Sequence, residues 1–372
     1  MMILHKFENG DEVHTYSKAI VCTLNGKRKV LSTGPNNGGY SEHLTAVFNQ
    51  DGKPGSGMAC TLKAPTYEEH QNLIAEELGL EPSKTTGLGT AADMKNVAIV
   101  TKEYKMMSVT AVVTGGIETN GGRVGDPATW YEEMGKGSDI KLGTINIMLF
   151  INADLTKGAL TRALVTCTEA KTAAIQELLA PSRYSMGLAT GSGTDGTIIV
   201  ANSESENKLT NSGKHSKLGE LIGLAVKQAV TETLDKQSAL NKKTQHNVLR
   251  RMDRFGITQE NFWAEYKAQE GDLNKAQFVD KLYNFTTSDE VLTYSSLYAH
   301  LLDQLMWDLI SIKETMFASN SVLGMITKQH LSLPDYKATM AKEEAIDFII
   351  KRYLEICTSF FINKNKTKEE NK

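Results

Sequence analysis

The sequence predicts an α/β (or α+β) domain built from two related β-β-α-β units, followed by an all-α C-terminal extension. Three observations carry this expectation. Short β-branched runs alternate with Gly-rich loops up to about residue 235. From about residue 238 to 362 the pattern is helix after helix. Within the first region, five elements recur in the same order. The expected division is therefore a domain over 1–235, a helical extension over 238–362, and a Lys/Glu/Asn-rich, disordered end over 363–372.

The recurrence starts with a strand-like run and a Gly-rich loop. Val30-Leu31 precedes Thr33-Gly34 and Asn37-Gly38-Gly39; Val109–Val113 precedes Thr114-Gly115 and Asn120-Gly121-Gly122. A strand follows in each copy, Leu44–Phe48 and Thr144–Ile151, and then a helix, Thr66–Leu78 and Lys157–Leu179. The helix leads to Thr86-Gly87-Leu88-Gly89-Thr90 in the first copy and Thr190-Gly191-Ser192-Gly193-Thr194 in the second. An acid comes next (Asp93, Asp195), then a closing strand, Val97–Val100 or Thr197–Val200. The second copy is longer, chiefly through Asp126–Lys141, which carries Trp130 and Tyr131. A ligand site is expected where the Gly-rich loops of the two copies converge.

Helical period supports the rest. Leu160, Ala163, Leu164, Cys167, Ala170, Ala174, Ile175 and Leu178 form one stripe. Leu218, Leu221, Ile222, Ala225, Val226, Ala229, Val230 and Leu234 form another, with Ser216 as its N-cap. The extension should hold four or five helices packed as a bundle, including one long helix over Asp289–Phe317 and a stripe through Ile346, Ile349, Tyr353 and Cys357. Thr258 and Ser288 are the expected N-caps there.

Composition narrows the function. A net charge of -3 and a pI near 6.3 leave no basic footprint for nucleic acid. No run of about 18 apolar residues suggests a membrane span, and the first residues do not read as a signal peptide. Four widely spaced cysteines, Cys22, Cys60, Cys167 and Cys357, contain no CxxC and read as core residues of a reducing compartment, so a cytoplasmic protein is expected.

Lys171 is the residue that stands out. It lies four positions after Cys167 and four before Ile175, in the middle of an apolar stripe. A buried ammonium needs a carboxylate or a ligand anion, unless its stem carries the charge out to water. Asp195, after the second Gly-rich loop, suits a general base or a turn aspartate. His215, in Gly213-Lys214-His215-Ser216 ahead of a helix, suits a base or a loop position. Glu169 falls on the opposite side of the helix from Lys171, and a solvated glutamate is its simpler reading. His43 follows the first Asn-Gly-Gly loop and is a further candidate, whereas His300 reads as a core histidine. No HExxH pair, no Gly-x-Ser-x-Gly elbow and no Walker loop occurs, so no metal site is expected.

The resemblance to a known family begins at Val113-Thr114-Gly115-Gly116 and Gly125-Asp126. It continues through Gly143-Thr144-Ile145-Asn146-Ile147, Leu155–Leu160 and Thr168-Glu169-Ala170-Lys171-Thr172. Ala189-Thr190-Gly191-Ser192-Gly193-Thr194-Asp195 and Gly213-Lys214-His215-Ser216 extend it. In these motifs, over roughly residues 18–235, the chain resembles the adenosylcobinamide amidohydrolases. The Asp126–Lys141 stretch is longer than the family pattern, and the helices after about 238 lie outside it. The resemblance implies hydrolysis of the amide joining aminopropanol to the corrin propionyl arm, giving adenosylcobyric acid and 1-amino-2-propanol. The corrinoid is then substrate, and no cofactor is required.

Amide hydrolysis needs a nucleophile, a proton donor for the amine and stabilisation of an oxyanion. Asp195, Glu169 or His215 are the candidates to activate water, with Lys171 stabilising charge; covalent attack by Thr194 is the alternative. Candidate substrate-binding residues on the Gly-rich loops are Thr33, Asn37, Gly38, Gly39, Thr114, Gly115, Asn120, Asn146, Thr190, Gly191 and Gly193. Two other classes compete: a non-catalytic corrinoid-binding or trafficking protein, and a phosphate-ligand enzyme using the repeated Thr-Gly-x-Gly-Thr loops. No nucleic-acid or membrane partner is expected. The C-terminal helices are a candidate surface for homo-oligomers or a partner protein.

Overall fold

A computed structural model describes residues 1–55, 60–128, 130–131, 136–137, 143–337 and 339–362. The expected disordered end, 363–372, lies outside the described residues, as does much of the Asp126–Lys141 stretch. The chain divides into two compact units, Met1–Asn241 and Lys242–Lys372.

The first unit opens with three antiparallel strands, β1 (Met2–Lys6), β2 (Glu12–Tyr16) and β3 (Ala19–Thr23). Strands β4 (Arg28–Ser32), β5 (Gly39–Ser41) and β6 (Ala46–Asp51) follow, then helix α1 (Tyr67–Glu77) and strand β7 (Thr85–Thr90). The Thr66 side chain caps α1 in a reciprocal pairing with Glu69, the Thr-x-x-Glu signature of a helix start. Next come β8 (Ala98–Tyr104), β9 (Met107–Gly116), β10 (Gly121–Gly122), β11 (Trp130–Tyr131), β12 (Lys136–Gly137) and β13 (Thr144–Ile151). The unit continues with β14 (Asp154–Leu155), α2 (Lys157–Glu177), β15 (Gly191–Ser192), β16 (Gly196–Asn202), β17 (Lys208–Leu209) and α3 (Lys217–Ser238). Ser216 caps α3 through the Gly219 N–H, as its position suggests. The boundary expected at 235–238 falls in the last turn of α3, and the unit runs on to Asn241.

Two sheets stack face to face. One has the order β1-β2-β3-β6-β7, the other β5-β4-β16-β13-β9-β8. Val13, Ile20, Cys22, Val47 and Leu88 meet Val30, Val112, Met148, Ile198 and Val200 between them. The alternate residues point outwards. Val21 and Phe48 pack under α1 at Ile74 and Ala75, while Val113, Ile147, Leu149 and Ile199 pack under α2 and α3. The order of layers is therefore helix, sheet, sheet, helices. Both faces of the central strands are buried, which is why β13 reads Thr-Ile-Asn-Ile-Met-Leu-Phe-Ile with hardly a polar alternate.

The two β-β-α-β units exist, but their membership differs from the motif alignment. In the first, β3 and β6 pair antiparallel, α1 crosses over, and β7 returns parallel to β6. In the second, β9 and β13 pair antiparallel, α2 crosses over, and β16 returns parallel to β13. Val30-Leu31 thus belongs to the other sheet, beside β16, and of the expected closing strand Val97–Val100 the residues from Ala98 on lie in β8 at that sheet's edge. Thr86–Thr90, expected as a loop, is the closing strand itself. Glycine there serves close packing, since a Cβ on Gly87 would lie 2.1 Å from the Phe48 ring.

A buried polar brace joins the sheets. Asn49 Nδ2 donates to Thr114 Oγ1 (2.7 Å), and Asn146 Nδ2 donates to Asn49 Oδ1 (2.8 Å) and to the Gly89 carbonyl (3.0 Å). Asn146 Oδ1 in turn accepts the Gly196 N–H (3.0 Å). Replacing Asn146 by Ala strands these partners in an interior where each unmade bond costs about 1–3 kcal/mol. The expected result is a lower urea midpoint, by about 2–4 kcal/mol of stability; an unchanged midpoint contradicts the brace.

The second unit contains six α-helices among its described residues, more than the four or five expected. They are α4 (Val248–Met252), α5 (Gln259–Ala268), α6 (Lys275–Thr286), α7 (Asp289–Met306), α8 (Ile312–Thr327) and α9 (Lys342–Ser359). The single helix expected over Asp289–Phe317 is broken: α7 ends at Met306, Asp308 takes φ 58°, and Ser311 starts α8 in a capping box with Glu314. Thr258 caps α5 by its side chain; Ser288 occupies the N-cap of α7 without a side-chain bond. His300 is exposed, against the core position expected, because α7 buries Tyr298, Ala299 and Leu302 instead. Tyr353 and Tyr298 fill the bundle core, their hydroxyls bonded to Ser295 (2.6 Å) and the Ile349 carbonyl (2.8 Å).

Candidate functional site

The site grows from α2 and the loop that follows it. Lys171 is 9% exposed, and its ammonium meets the Asp195 carboxylate directly. Of the two readings open in the sequence, the paired lysine is the one observed. Asp195 is held from every side. Oδ1 accepts the Ile145 N–H (2.8 Å) and the Ser192 hydroxyl (2.8 Å); Oδ2 accepts the Ser192 N–H (2.9 Å) and Lys171. Gly191 is required at its position, since a Cβ there would sit 2.4 Å from Asp195 Oδ2 and 2.7 Å from Lys171 Nζ. The corresponding acid of the first copy, Asp93, merely caps a short turn through the Lys95 N–H.

This pair backs onto a cleft of about 650 Å³, lined by Asn120, Gly122, Arg123, Asp126, Thr168, Lys171, Thr172, Tyr184 and Thr190–Thr194 among others. Its walls are linked by hydrogen bonds. Gly122 and Gly191 pair across β10 and β15, and Thr172 donates to the Thr190 carbonyl (3.1 Å). Tyr184 donates to Asn120 Oδ1 (2.6 Å), Asn120 Nδ2 to the Gly143 carbonyl (2.9 Å), and Thr194 Oγ1 to that same carbonyl (2.8 Å). Asp126 accepts the Ser182 hydroxyl (2.6 Å) and the Arg123 N–H (2.7 Å). Burial pushes its carboxyl up, but the Ser182 and Ser185 hydroxyls and Arg123 outweigh this and hold it below the ordinary value. Asp126 therefore organises the rim as a carboxylate.

The structure brings together only part of the set named from sequence. Lys171, Thr194, Asn120, Thr190, Gly191 and Gly193 line the cleft, and Asp195 stands directly behind Lys171 and Ser192. Glu169 and His215 line a separate pocket of about 190 Å³ on another face of α2, where Glu169 pairs with Lys214 (3.1 Å). Thr114, Gly115 and Asn146 are inside the fold: the brace uses Thr114 and Asn146, and Gly115 packs against Ile145 and Thr233. Thr33 pairs with Thr197, and Asn37 donates to the Pro82 and Thr85 carbonyls. Gly38 and Gly39 belong to that first-copy turn, and neither they nor His43 line the cleft. The cleft is built by the second copy's loops, while the first copy's loops tie the two sheets together.

Sequence reasoning missed Ser192, Tyr184, Arg123, Thr168 and Thr172 as lining residues. Thr168 and Thr172 had a signal, being polar residues three before and one after Lys171. Tyr184 had none, because it lies in the irregular segment after α2. Among the described residues no cluster of three His, Cys, Asp or Glu could hold a metal ion, and no helix is long and apolar enough to cross a membrane. Cys22, Cys167 and Cys357 are buried free thiols; Cys60, expected in the core, is exposed.

A stacked two-sheet α/β domain with a glycine-lined cleft and a buried lysine–carboxylate pair defines the class, and the cleft has the size in which small molecules bind. The chain belongs to the adenosylcobinamide amidohydrolase family, whose model matches residues 4–242. An uncharacterized protein of Methanocaldococcus jannaschii is 34% identical over 235 residues, 60% of this chain and 88% of that protein. A protein of Methanosarcina mazei named adenosylcobinamide amidohydrolase is 26% identical over 220 residues, 57% of this chain and 92% of that one. A crystal structure of a Pyrococcus horikoshii protein is similar at 15% identity and a TM-score of 0.31, covering 68% of this chain and 90% of its own.

Proposed function

We propose that this chain hydrolyses the amide joining 1-amino-2-propanol to the corrin propionyl arm of adenosylcobinamide, giving adenosylcobyric acid and the free amine. The observation that carries the reading is the Lys171–Asp195 pair at the wall of an open cleft in a chain of this family. A fixed ammonium beside glycine-rich backbone is suited to the charge that grows on a carbonyl oxygen when an amide is attacked. Gly193, where a Cβ would meet nothing within 4 Å, leaves the loop accessible to that oxygen. Asp195 keeps Lys171 aimed, and the Tyr184–Asn120–Gly143 chain fixes the opposite wall. Glu169 and His215 take no part in this arrangement, since they line the other pocket. The three buried free thiols fit a cytoplasmic, reducing setting.

The test is incubation of the full chain with adenosylcobinamide. Mass spectrometry should find adenosylcobyric acid, with 1-amino-2-propanol released in equal amount. A corrinoid that binds and is recovered intact overturns the enzymatic reading in favour of a carrier.

A further inference from the structure

Which group attacks the amide can be read from where each hydroxyl at the cleft sends its proton. Thr168 donates to the Leu164 carbonyl (3.0 Å), Thr172 to the Thr190 carbonyl (3.1 Å) and Thr194 to the Gly143 carbonyl (2.8 Å). A backbone carbonyl orients a hydroxyl but cannot take its proton away. With its own proton committed to Gly143, Thr194 Oγ1 acts as acceptor towards the neighbouring Thr144 hydroxyl (2.5 Å). Tyr184 donates to the Asn120 amide oxygen, which is no base either. Thr190 Oγ1 accepts the Val124 N–H (2.9 Å). Among the hydroxyls that line the cleft, Ser192 alone donates to a carboxylate, Asp195 Oδ1, at 2.8 Å; Ser182, which donates to Asp126 (2.6 Å), is buried behind the rim and does not line the cleft.

We propose that Ser192 is the nucleophile of this site, with Asp195 as its proton acceptor and Lys171 holding that carboxylate by its other oxygen. The assignment rests on the amidohydrolase reading above. The Thr194 N–H (3.3 Å) and the Thr194 hydroxyl (3.3 Å) both lie against Ser192 Oγ, and Asp195 is the shorter contact that takes its proton. Ser192 Oγ forms a bond to the amide carbon as its proton passes to Asp195 Oδ1 and the carbonyl pair moves onto oxygen. The tetrahedral adduct then breaks its C–N bond. The nitrogen takes the proton from Asp195 and leaves as the free amine, with a corrinoid ester on Ser192. Water attacks that ester and gives a proton to Asp195, which returns it to Ser192 Oγ as the acid departs. One water is consumed, and no oxidant or reductant is needed.

The sequence hides this residue, because Ser192 sits inside a Gly-rich loop and lacks the Gly-x-Ser-x-Gly setting of a nucleophile elbow. It becomes visible only when Asp195 folds back three residues to accept both its N–H and its hydroxyl.

The experiment has two arms, both with adenosylcobinamide. In the first, the unmodified protein turns over substrate with added hydroxylamine, and acid-quenched protein is weighed intact. An acyl-enzyme partitions to the corrinoid hydroxamate, and the adduct maps to the peptide containing Ser192. In the second, Ser192→Ala is expected to lower turnover by about 1,000-fold or more, to abolish the hydroxamate, and to retain corrinoid binding by absorption titration. Hydrolysis by the unmodified protein with neither hydroxamate nor adduct overturns Ser192 and leaves the amidohydrolase reading intact. So does an S192A protein that keeps more than about a tenth of the rate. Absence of turnover by the unmodified protein overturns the function itself and this assignment with it. The first arm needs no variant, so misfolding of S192A does not shield the proposal.

Discussion

Lys171→Met is expected to lose activity by about 100- to 1,000-fold, the usual consequence of removing one charge-stabilising donor from an amide-cleaving site. The same change removes the cation that meets a carboxylate 10% exposed. A buried charge left without its partner costs about 3–5 kcal/mol. In a unit of 241 residues this lowers the melting temperature by roughly 6–20 °C. Lys171→Met combined with Asp195→Leu should recover much of the stability and none of the activity, because the stranded charge is gone but the site is empty. Thermal melts and turnover of the wild type and the two variants separate the two effects. A Lys171→Met protein that melts with the wild type shows that Asp195 does not depend on the ammonium, contrary to the geometry described.

Arg28→Met is expected to give the largest purely structural loss in the first unit. Arg28 is 1% exposed and Asp11 2% exposed, and they meet through two bonds of 2.9 Å. The guanidinium also donates to Asn202 Oδ1 (3.1 Å) and to the Lys27 and Asn25 carbonyls, so its fork is consumed within the protein. It ties the turn between β1 and β2 to the starting end of β4 and the finishing end of β16. Removing one partner of such a pair costs about 3–5 kcal/mol. Denaturant midpoints should fall for Arg28→Met and recover partly in Arg28→Met/Asp11→Leu. Asp195 lies just before the opposite end of β16, so turnover per folded molecule should stay near wild type. A single variant as stable as wild type rules out the pair as a clasp between the sheets.

The two largest expectations also show how unequally sequence and structure reveal a residue. Lys171 could be singled out in advance, because a charge in the middle of a helical apolar stripe conflicts with its surroundings and demands a partner. Arg28 could not, because it lies next to turn residues in a short strand where an arginine is ordinary. Its burial depends on Asp11 and Asn202, which the chain brings from 17 residues upstream and 174 downstream. Ser192 shows the same limit inside the site. Its neighbours in sequence are glycines and threonines, and its chemistry comes from Asp195, whose position is set in turn by the Ile145 N–H and by Lys171.

The amino-acid sequence by itself determined the local features of this protein. These are the helices with their caps at Thr66, Ser216 and Thr258, the β13 run, the buried lysine, and the division between a mixed α/β region and a helical one. Each depends on interactions a few residues apart or on burial of one face, and periodicity records both. Only the tertiary structure decided which strand joins which sheet, and that the first copy's glycine loops pack the sheets while the second copy's form the cleft. It alone separated His215 from Lys171 and Asp195, whereas helical period already set Glu169 on the opposite side of α2 from Lys171. Those outcomes are set by pairing between segments far apart in the chain, where two chemically similar loops differ only in what folds against them.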